Sequence, residues 1–225
     1  MVVRPAFYVN NGKVVSADYE FQWFAGFSAA QKQRSIAALH SAITVMDKSA
    51  RPLEISTKGT NGLGVKLSAF ILKLDGVLLE NVFQSSKVFE NGGPYRDLLN
   101  VHPKDAKRDE RLRTSGRLIG FNYNGCDFPL EPKTVFYDYI YISAVKHSLS
   151  ADEIRRIAEF THFTDIEFNP QKSINTQAKT VAIIKLMLEK FGELPEMTVE
   201  EFINFYKENR RKYELIIYSY TKRII

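Results

Sequence analysis

The chain has 225 residues, of which 44% are hydrophobic, 25% charged and 12% aromatic. This length and composition fit one folded domain, or one domain with a helical addition, and they exclude disordered, collagen-like and low-complexity proteins. The formal charge of +5 permits attraction to phosphate groups but does not by itself identify a nucleic-acid-binding protein.

Residues that build disulfides, metal sites and membrane spans are scarce. The single cysteine, Cys126, excludes an intrachain disulfide framework and a zinc site built on several thiolates. None of the 4 histidines has a partner at metal-ligand spacing, so we expect no metal. No apolar run approaches the roughly 18–20 residues that cross a bilayer, and the first residues lack the apolar stretch of a signal peptide. We therefore expect a cytoplasmic protein that does not associate with membranes.

The first clear element is an amphipathic helix. Ser28 and Gln31 have the spacing of a capping box, which starts a helix. The apolar residues that follow recur at helical spacing: Ile36, Leu39, Ile43 and Met46. Because proline disfavours a helical conformation in the residue before it, the Arg51-Pro52 pair is expected to end this helix.

The next segments predict short strands and a central helix. Alternation over residues 53–57 and the β-branched and aromatic content of 67–74 indicate two strands, joined by a glycine-bearing loop at 58–66. Asp75-Gly76 is typical of a turn, and residues 77–90 then favour a helix.

The second half of the chain is mainly helical. Pro132 suits the first turn of a helix whose face spans residues 135–143, although those residues also have strand propensity. A capping box at Ser150 opens a helix to about residue 160, and two terminal helices cover 178–191 and 198 to about 213. Strands first and helices afterwards predict a helix-dominated α+β fold.

Three polar residues of the predicted helix 77–90 are candidate catalytic residues. Glu80, Gln84 and Lys87 fall on one stripe at about 100° per residue. A carboxyl can move a proton, and a desolvated lysine can act as a nucleophile or form a Schiff base with an opened sugar. Most such stripes are solvated helix faces, and periodicity alone does not distinguish a catalytic stripe from a solvated one.

Residues 80–87 also resemble a known signature, that of the NADAR family. In it a glutamate begins a helix, an aromatic-Gln pair follows one turn later, and a lysine comes three residues after the glutamine. Residues 67–70, Leu-Ser-Ala-Phe, are similar to the family's Leu-Ser-Asn-Phe strand. Asp165 and Asn175 are loosely similar to its Asp-x-x-Trp-Gly and Asn-Leu-Gly stretches, from which residues 167–169 depart.

A wider set of segments points to one branch of that family. Residues 20–23, 56–58, 84–95 and 168–175 together resemble the NADAR proteins that accompany DarT-type DNA ADP-ribosyltransferase toxins. The resemblance implies a helix-dominated, NADAR-like (YbiA-like) α+β single domain with a small β-sheet. We expect residues 1–193 to form the glycosidase domain and 194–225 a helical extension of it.

The resemblance also implies an activity. The protein would be an N-glycosidase that removes ADP-ribose from guanine bases in DNA, with ADP-ribose as product and a DNA ADP-ribosyltransferase toxin as functional partner. No cofactor is expected, and we expect a monomer. Two alternatives remain: an N-glycosidase of a small metabolite such as a riboflavin-pathway intermediate, and a non-catalytic ADP-ribose-binding module.

Roles for individual residues follow from the implied reaction. Lys87 would capture the anomeric carbon, Glu80 would move the proton, and Gln84 would orient a ribose hydroxyl. The other residues expected to bind ligand are Trp23, Gly64, Ser68, Tyr95, Arg96, Asp165 and Asn175. Trp23 and Tyr95 would stack on a base, whereas Arg96, with Arg117 as an alternative, and the loop of Gly64 would meet the diphosphate. Simple packing, a plain β-connection and solvent contact remain open for these residues.

Residues 104–117 are the expected DNA contact. They contain six cations and three carboxylates, a local balance of +3. We expect Lys107, Arg108, Arg111 and Arg113 to hold phosphates that flank the modified base. A second basic cluster, residues 207–212, lies near the end of the sequence, and a solvated face is the alternative for both.

Overall fold

The computed structural model describes residues 1–169 and 176–210. In chain order the strands are β1 (Val2–Asn10), β2 (Lys13–Phe21), β3 (Pro52–Glu54), β4 (Lys73–Leu74), β5 (Val77–Leu78), β6 (Lys87–Phe89), β7 (Leu118–Tyr123), β8 (Cys126–Phe128) and β9 (His162–Thr164). The α-helices are α1 (Ala29–Met46), α2 (Gly62–Lys66), α3 (Leu79–Ser85), α4 (Pro103–Arg108), α5 (Arg111–Thr114), α6 (Val135–Ser148), α7 (Ala151–Arg156), α8 (Gln177–Phe191) and α9 (Val199–Arg210). Short 3-10 helices cover Arg96–Asn100 and Ile157–Glu159. The fold is α+β with small sheets, as predicted.

The chain divides into two compact units that alternate along the sequence. The first unit combines Met1–Ile71 with Leu149–Pro195, and the second combines Leu72–Ser148 with the described residues from Glu196 on. The predicted helical extension from residue 194 begins close to the point where the second unit resumes. The division of the chain at residue 193 stays a prediction.

The first unit is built on a four-stranded sheet in the order β2-β1-β9-β3. Strands β1 and β2 form a long antiparallel hairpin in which Val2 pairs with Phe21 and Asn10 with Lys13. Its turn, Asn11-Gly12, has positive φ at both residues, 50° and 68°, which matches the right-handed twist of a two-residue hairpin. The sequence analysis missed this hairpin.

Helices α1 and α8 cover strands of this sheet. Ser28 caps α1 by accepting a hydrogen bond from the Gln31 backbone N–H, as predicted. The helix ends at Met46, five residues before Arg51, because Asp47 leaves the helical conformation. One buried cluster joins α1 to the sheet, with Ala50 and Ile166 from the neighbouring segments: Ala6, Tyr19, Phe21, Ile36, Leu39, Ile43, Ala50 and Ile166.

The second unit contains two further small sheets. Strands β4 and β5 form a hairpin around Asp75-Gly76, with φ of 52° and 80°, as the predicted turn requires. Strands β6, β7 and β8 form an antiparallel sheet whose β7–β8 turn is Asn124-Gly125. Helix α6 confirms the helical reading of residues 135–143 and contributes Phe136, which is buried against Phe121 with ring centroids 4.5 Å apart.

Helix α9 packs on α6 in the second unit. Thr198 and Glu201 form the predicted capping box. Phe202 meets the ring of Tyr139 at 5.3 Å, and the Tyr206 hydroxyl donates to Asp138 at 2.7 Å. The last three residues of the predicted helix, 211–213, lie outside the described residues.

Several predictions about elements were wrong. The predicted strand 53–57 is a strand only as far as Glu54, and the predicted loop 58–66 contains α2. Residues 67–74 form a strand only at Lys73–Leu74, because Leu67 caps α2 and a turn follows, with the Ile71 N–H bonded to the Ser68 carbonyl. Residues 77–90 are helical only over Leu79–Ser85. Ser86 ends that helix, and the chain continues into β6, where Lys87 pairs with Phe121.

The remaining helix predictions are confirmed. Ser150 and Glu153 form the reciprocal capping box of α7, and α8 begins one residue before its expected start. Within residues 1–169 and 176–210, no helix combines the length and the apolar character that crossing a bilayer requires.

Candidate active site

Glu80, Gln84 and Lys87 form one hydrogen-bonded chain in the second unit, called here the Lys87 cluster. Glu80 and Gln84 project from successive turns of α3, and the Gln84 amide donates to the Glu80 carboxylate at 2.8 Å. The Lys87 ammonium donates to the other end of the same amide, Oε1, at 2.7 Å. The predicted convergence of carboxylate, amide and amine is therefore present, although Lys87 reaches it from a strand.

The start of β6 fixes the backbone of Lys87. The Asn122 N–H donates to the Ser86 carbonyl at 2.8 Å and joins the end of α3 to strand β7. Gly93, at φ 85°, lies so close to Lys87 that a Cβ atom there would come within 2.3 Å of the Lys87 carbonyl oxygen. Position 93 thus requires glycine for two reasons, its positive φ and this close approach.

Burial prepares the Lys87 amine to lose its proton. The ammonium lies 5.1 Å from the ring centroid of Phe83, which packs against Phe121 and Phe136. Burial lowers the pKa of Lys87 below its ordinary value, the negative charge of Glu80 opposes that shift, and the positive charge of Lys107 adds to it. A lowered pKa gives a larger neutral, nucleophilic fraction at a given pH.

Helix α4 brings a second amine to the cluster. The Lys107 ammonium lies 3.8 Å from the Glu80 carboxylate, with 68% of its own side chain and 31% of the Glu80 side chain exposed. Asn81, buried on α3, donates to the carbonyls of Leu98 and Val101 at 2.7 and 2.8 Å. These two bonds tie the segment that leads into α4 to the helix that carries Glu80.

Arg111 is engaged within the protein. Its guanidinium pairs with Asp97 at 2.6 Å and with Asp109 at 2.9 Å, and it lies 4.4 Å above the Tyr95 ring. The Tyr95 hydroxyl forms a hydrogen bond with Ser115. One face of Tyr95 is thus covered by Arg111, and any base that stacks on Tyr95 must use the other face.

The other predicted cations of the second unit differ in their partners. Arg96 donates to the Asn122 amide at 2.5 Å, and Arg117 pairs with Glu90 at 3.0 Å. Arg108 and Arg113 are exposed and form no ion pair with any described residue. Of the basic segment, these two guanidinium groups are the most available to phosphate.

In the first unit, Trp23 is half-buried between two cations. Arg4 and Lys32 lie 5.5 and 5.0 Å from its ring centroid, and Phe21 packs at 6.3 Å. Lys32 also pairs with Glu167 at 3.2 Å. Both cations are attracted to the electron-rich face of the indole ring. The stacking of Trp23 on a base stays a prediction.

Gly64 and Ser68 have packing roles. Gly64 is in α2, and a Cβ atom there would lie 2.1 Å from the Glu54 carbonyl oxygen, so glycine is what lets α2 approach β3. Ser68 is fully buried, and its hydroxyl accepts a bond from the Phe70 N–H at 3.4 Å. Contacts of either residue with a ligand stay predictions.

Asp165 belongs to a second buried group in the first unit, called here the Glu54 cluster: Glu54, Thr164, His40 and Asp165. Burial raises the pKa of Asp165 to about 7, and the nearby Glu54 charge adds to the shift. Gln177 donates to Asp165, and its Oε1 accepts from the Ala69 N–H at 2.7 Å. Asn175, the remaining predicted ligand residue, lies outside the described residues.

The comparison with known families decides the assignment. Residues 2–214 match the model of the DarT1-associated NADAR antitoxin. The chain belongs to that family. No curated protein matches this antitoxin in a sequence search. The match covers residues of both units, and the name of the family implies association with a DarT toxin.

The geometry of the antitoxin includes residues that sequence reasoning missed. Asn81 and Gly93 touch the backbone around the Lys87 cluster, Phe83 supplies the apolar face, and Lys107 was assigned to DNA alone. No sequence pattern predicted the contact of Lys107 with Glu80, because the two residues are 27 positions apart in the chain (107 − 80). Asn81 did give a signal: an amide on the otherwise apolar face of α3 needs hydrogen-bond partners.

Proposed function

We propose that this antitoxin is an ADP-ribosyl N-glycosidase that releases ADP-ribose from guanine in DNA. The observation that carries the proposal is the half-buried amine of Lys87, joined by Gln84 to the Glu80 carboxylate. Family membership supports the antitoxin role, and the chemistry of these three groups supports a glycosidic reaction.

The reaction begins with a proton transfer. Glu80 and Lys87 are both bonded to Gln84 and not to each other, so a water molecule carries the proton from the Lys87 ammonium to Glu80. The neutral amine then attacks the anomeric carbon of the ribose. The bond from that carbon to the exocyclic guanine nitrogen breaks, and Glu80 returns the proton to the departing nitrogen. Water then hydrolyses the lysine-ribose linkage, which releases ADP-ribose and restores the free amine.

Gln84 acts as a positioning residue and as a contact for the sugar. Its amide joins the Glu80 carboxylate to the Lys87 ammonium. A ribose hydroxyl that replaces one of these two hydrogen bonds would meet an amide that the other bond still orients. Among the other predicted ligand residues, Tyr95 and Arg96 lie in the same unit as the Lys87 cluster, whereas Trp23, Gly64, Ser68 and Asp165 lie in the first.

The basic segment is proposed to hold DNA through phosphates. Lys107, Arg108, Arg111 and Arg113 are the proposed contacts. Because Arg111 is saturated by two aspartates, we expect Arg108 and Arg113 to carry most of the salt-dependent affinity. Replacing both by glutamine should weaken action on modified DNA but leave the rate on a free ADP-ribosylated guanosine unchanged.

The decisive experiment compares Lys87→Ala with Lys73→Ala. Guanine-ADP-ribosylated DNA is incubated with each variant, and released ADP-ribose is followed by mass spectrometry. Loss of the nucleophile should slow release at least about 10³-fold, whereas Lys73, exposed on β4 of the same unit, should have no effect. Wild-type release that persists in a well-folded Lys87→Ala protein contradicts the proposal.

Trapping separates covalent from non-covalent catalysis. Borohydride added during turnover should reduce the open-chain imine and leave ADP-ribose attached to Lys87, detectable as a mass increase of the peptide that contains it. The same reaction with the riboflavin-pathway intermediate in place of DNA tests the metabolite alternative. Turnover of that compound alone, without release from DNA, would replace the proposed substrate.

A further inference from the structure

Two adjoining pockets lie in the first unit. One, of about 340 Å³, is bounded by α1, β3 and the loop that precedes α2. The other, of about 430 Å³, lies between α2 and α7. Thr60 and Asn61 line both, and the two neighbouring pockets together are called the groove here. Each volume is in the range of small-molecule sites.

A buried relay fixes the polar edge of the first pocket. The Thr164 hydroxyl donates to the buried Glu54 carboxylate at 2.6 Å, so its oxygen accepts the Nε2–H of His40 at 2.9 Å. The other carboxylate oxygen of Glu54 accepts from the Ile166 N–H at 2.8 Å. His40 is thereby held in one tautomer, and its Nδ1 carries a lone pair that no described residue uses.

The rest of this pocket is neutral and largely apolar. Burial lowers the pKa of His40 to about 4, so the imidazole is uncharged at neutral pH. Ile36, Ala37 and Pro52 supply apolar surface. Asn61 uses its side-chain oxygen to cap α2 at Leu63, 2.9 Å away, which leaves its amide N–H groups as donors. An acceptor at His40 and a donor at Asn61 beside apolar surface suit a planar, uncharged heterocycle.

The second pocket is cationic. Lys66 is paired with Glu153 at 2.5 Å, and the two charges cancel. Arg156 lines the same pocket, is exposed, and has no ion pair among the described residues. One unpaired guanidinium gives this end of the groove a net charge of +1, which matches a phosphate group.

We propose that the groove binds a nucleoside 5′-monophosphate unit, with its base against His40 and its phosphate on Arg156. The donor of the base meets His40 Nδ1, its ring acceptor meets the Asn61 amide, and the phosphate accepts from the guanidinium. A free nucleotide, the AMP half of ADP-ribose and one nucleotide of a DNA strand all present this chemistry.

The test measures AMP and adenosine binding by isothermal titration calorimetry, without the hydrolysis assay, so it stands or fails separately from the proposed function. Arg156→Gln should weaken AMP about tenfold or more and leave adenosine unchanged, because only AMP carries the phosphate. His40→Phe should weaken both about fivefold. The matched control is Arg155→Gln, the exposed neighbour on α7 that pairs with Asp152, which should change neither.

Competition identifies the source of the unit. If ADP-ribose displaces AMP and a short single-stranded oligonucleotide does not, the groove binds a free nucleotide or the AMP half of ADP-ribose. If the oligonucleotide displaces AMP, the groove binds a nucleotide of DNA. In both cases Arg156→Gln must weaken the competitor. The proposal is overturned if AMP at millimolar concentration gives no heat, if Arg155→Gln and Arg156→Gln act equally, or if folded His40→Phe binds adenosine as the wild type does.

Discussion

The Lys87 cluster, which is partly buried, and the Glu54 cluster, whose carboxyl groups are buried, are both polar groups, but they are built in opposite ways. In the Lys87 cluster a cation and an anion share one amide, and part of the Glu80 side chain reaches solvent. In the Glu54 cluster two carboxyl groups lie near each other, and they accept hydrogen bonds from hydroxyl, amide and backbone groups of the described residues.

Burial therefore moves the two clusters toward neutrality from opposite sides. It lowers the pKa of the Lys87 amine and raises those of the Glu54 and Asp165 carboxyls. The first shift favours the neutral amine that the proposed reaction needs. In the Glu54 cluster, hydrogen bonds join strands β3 and β9. Glu54 on β3 accepts from the Thr164 hydroxyl on β9 and from the Ile166 backbone N–H that follows.

The largest expected difference is in stability. Glu54→Ala leaves two buried donors, the Thr164 hydroxyl and the Ile166 N–H, without their acceptor. It should therefore lower the free energy of unfolding by about 3–4 kcal/mol. Glu80→Ala, at a partly exposed site, should cost about 1 kcal/mol or less. Urea denaturation of both variants measures the difference. Equal losses would show that the two clusters do not divide into structural and chemical roles.

Asp165 should make the stability fall as the pH rises, opposite in sign to the contribution of His40, whose folded pKa of about 4 lies below its ordinary value. The folded pKa of Asp165, about 7, lies above the ordinary value of 3.8, so the folded state binds the proton more tightly. The stability this proton provides is complete below about pH 4 and is lost as the pH rises through 7. Asp165→Asn should remove up to about 3 kcal/mol of that decline, measured by denaturation from pH 4 to 8.

Asp18→Asn is the control for this measurement, because Asp18 is exposed on β2 of the same unit. It should leave the slope of stability against pH as it is in the wild type. An unchanged slope in Asp165→Asn would place the titration elsewhere.

Within the Lys87 cluster, Glu80→Gln should affect the reaction far more than the fold. Glutamine keeps an acceptor for the Gln84 amide but cannot carry a proton, so release of ADP-ribose should fall about 10²-fold. Mass spectrometry of the product and a thermal melt of the same sample test the two effects together. A rate near that of the wild type would remove Glu80 from the chemistry.

The smallest effect is expected at Lys107. Removal of its positive charge in Lys107→Gln should raise the pKa of Lys87 and shift the rising limb of the pH-rate profile to higher pH by a fraction of a unit. Arg108→Gln, on the same helix, should weaken DNA binding without such a shift. Identical profiles for the two variants on a free nucleoside substrate would contradict this role.

The sequence predicted the elements whose signals are local. Capping boxes located α1, α7 and α9, and residues 80–87 located the cluster. Two Asn-Gly hairpin turns carried an equally local signal and were overlooked.

The wrong predictions concern segments whose secondary structure depends on contacts with residues distant in the sequence. Lys87 leaves the helix because β7 pairs with it, and residues 67–74 turn because α2 packs on β3 through Gly64. Neither partner is adjacent in sequence. The pKa shifts of Lys87 and Asp165 depend on burial, which composition and spacing do not reveal.

The alternation of the two units along the chain has a consequence during synthesis on the ribosome. The first unit needs Leu149–Pro195 and the second needs α9, so neither is complete until about 200 residues have been made, at roughly 5–20 residues per second. For many seconds the nascent α6 lacks Phe202 and Tyr206, which later cover it. The apolar face of α6 that these two rings cover is therefore exposed until nearly all of the described residues have been synthesised.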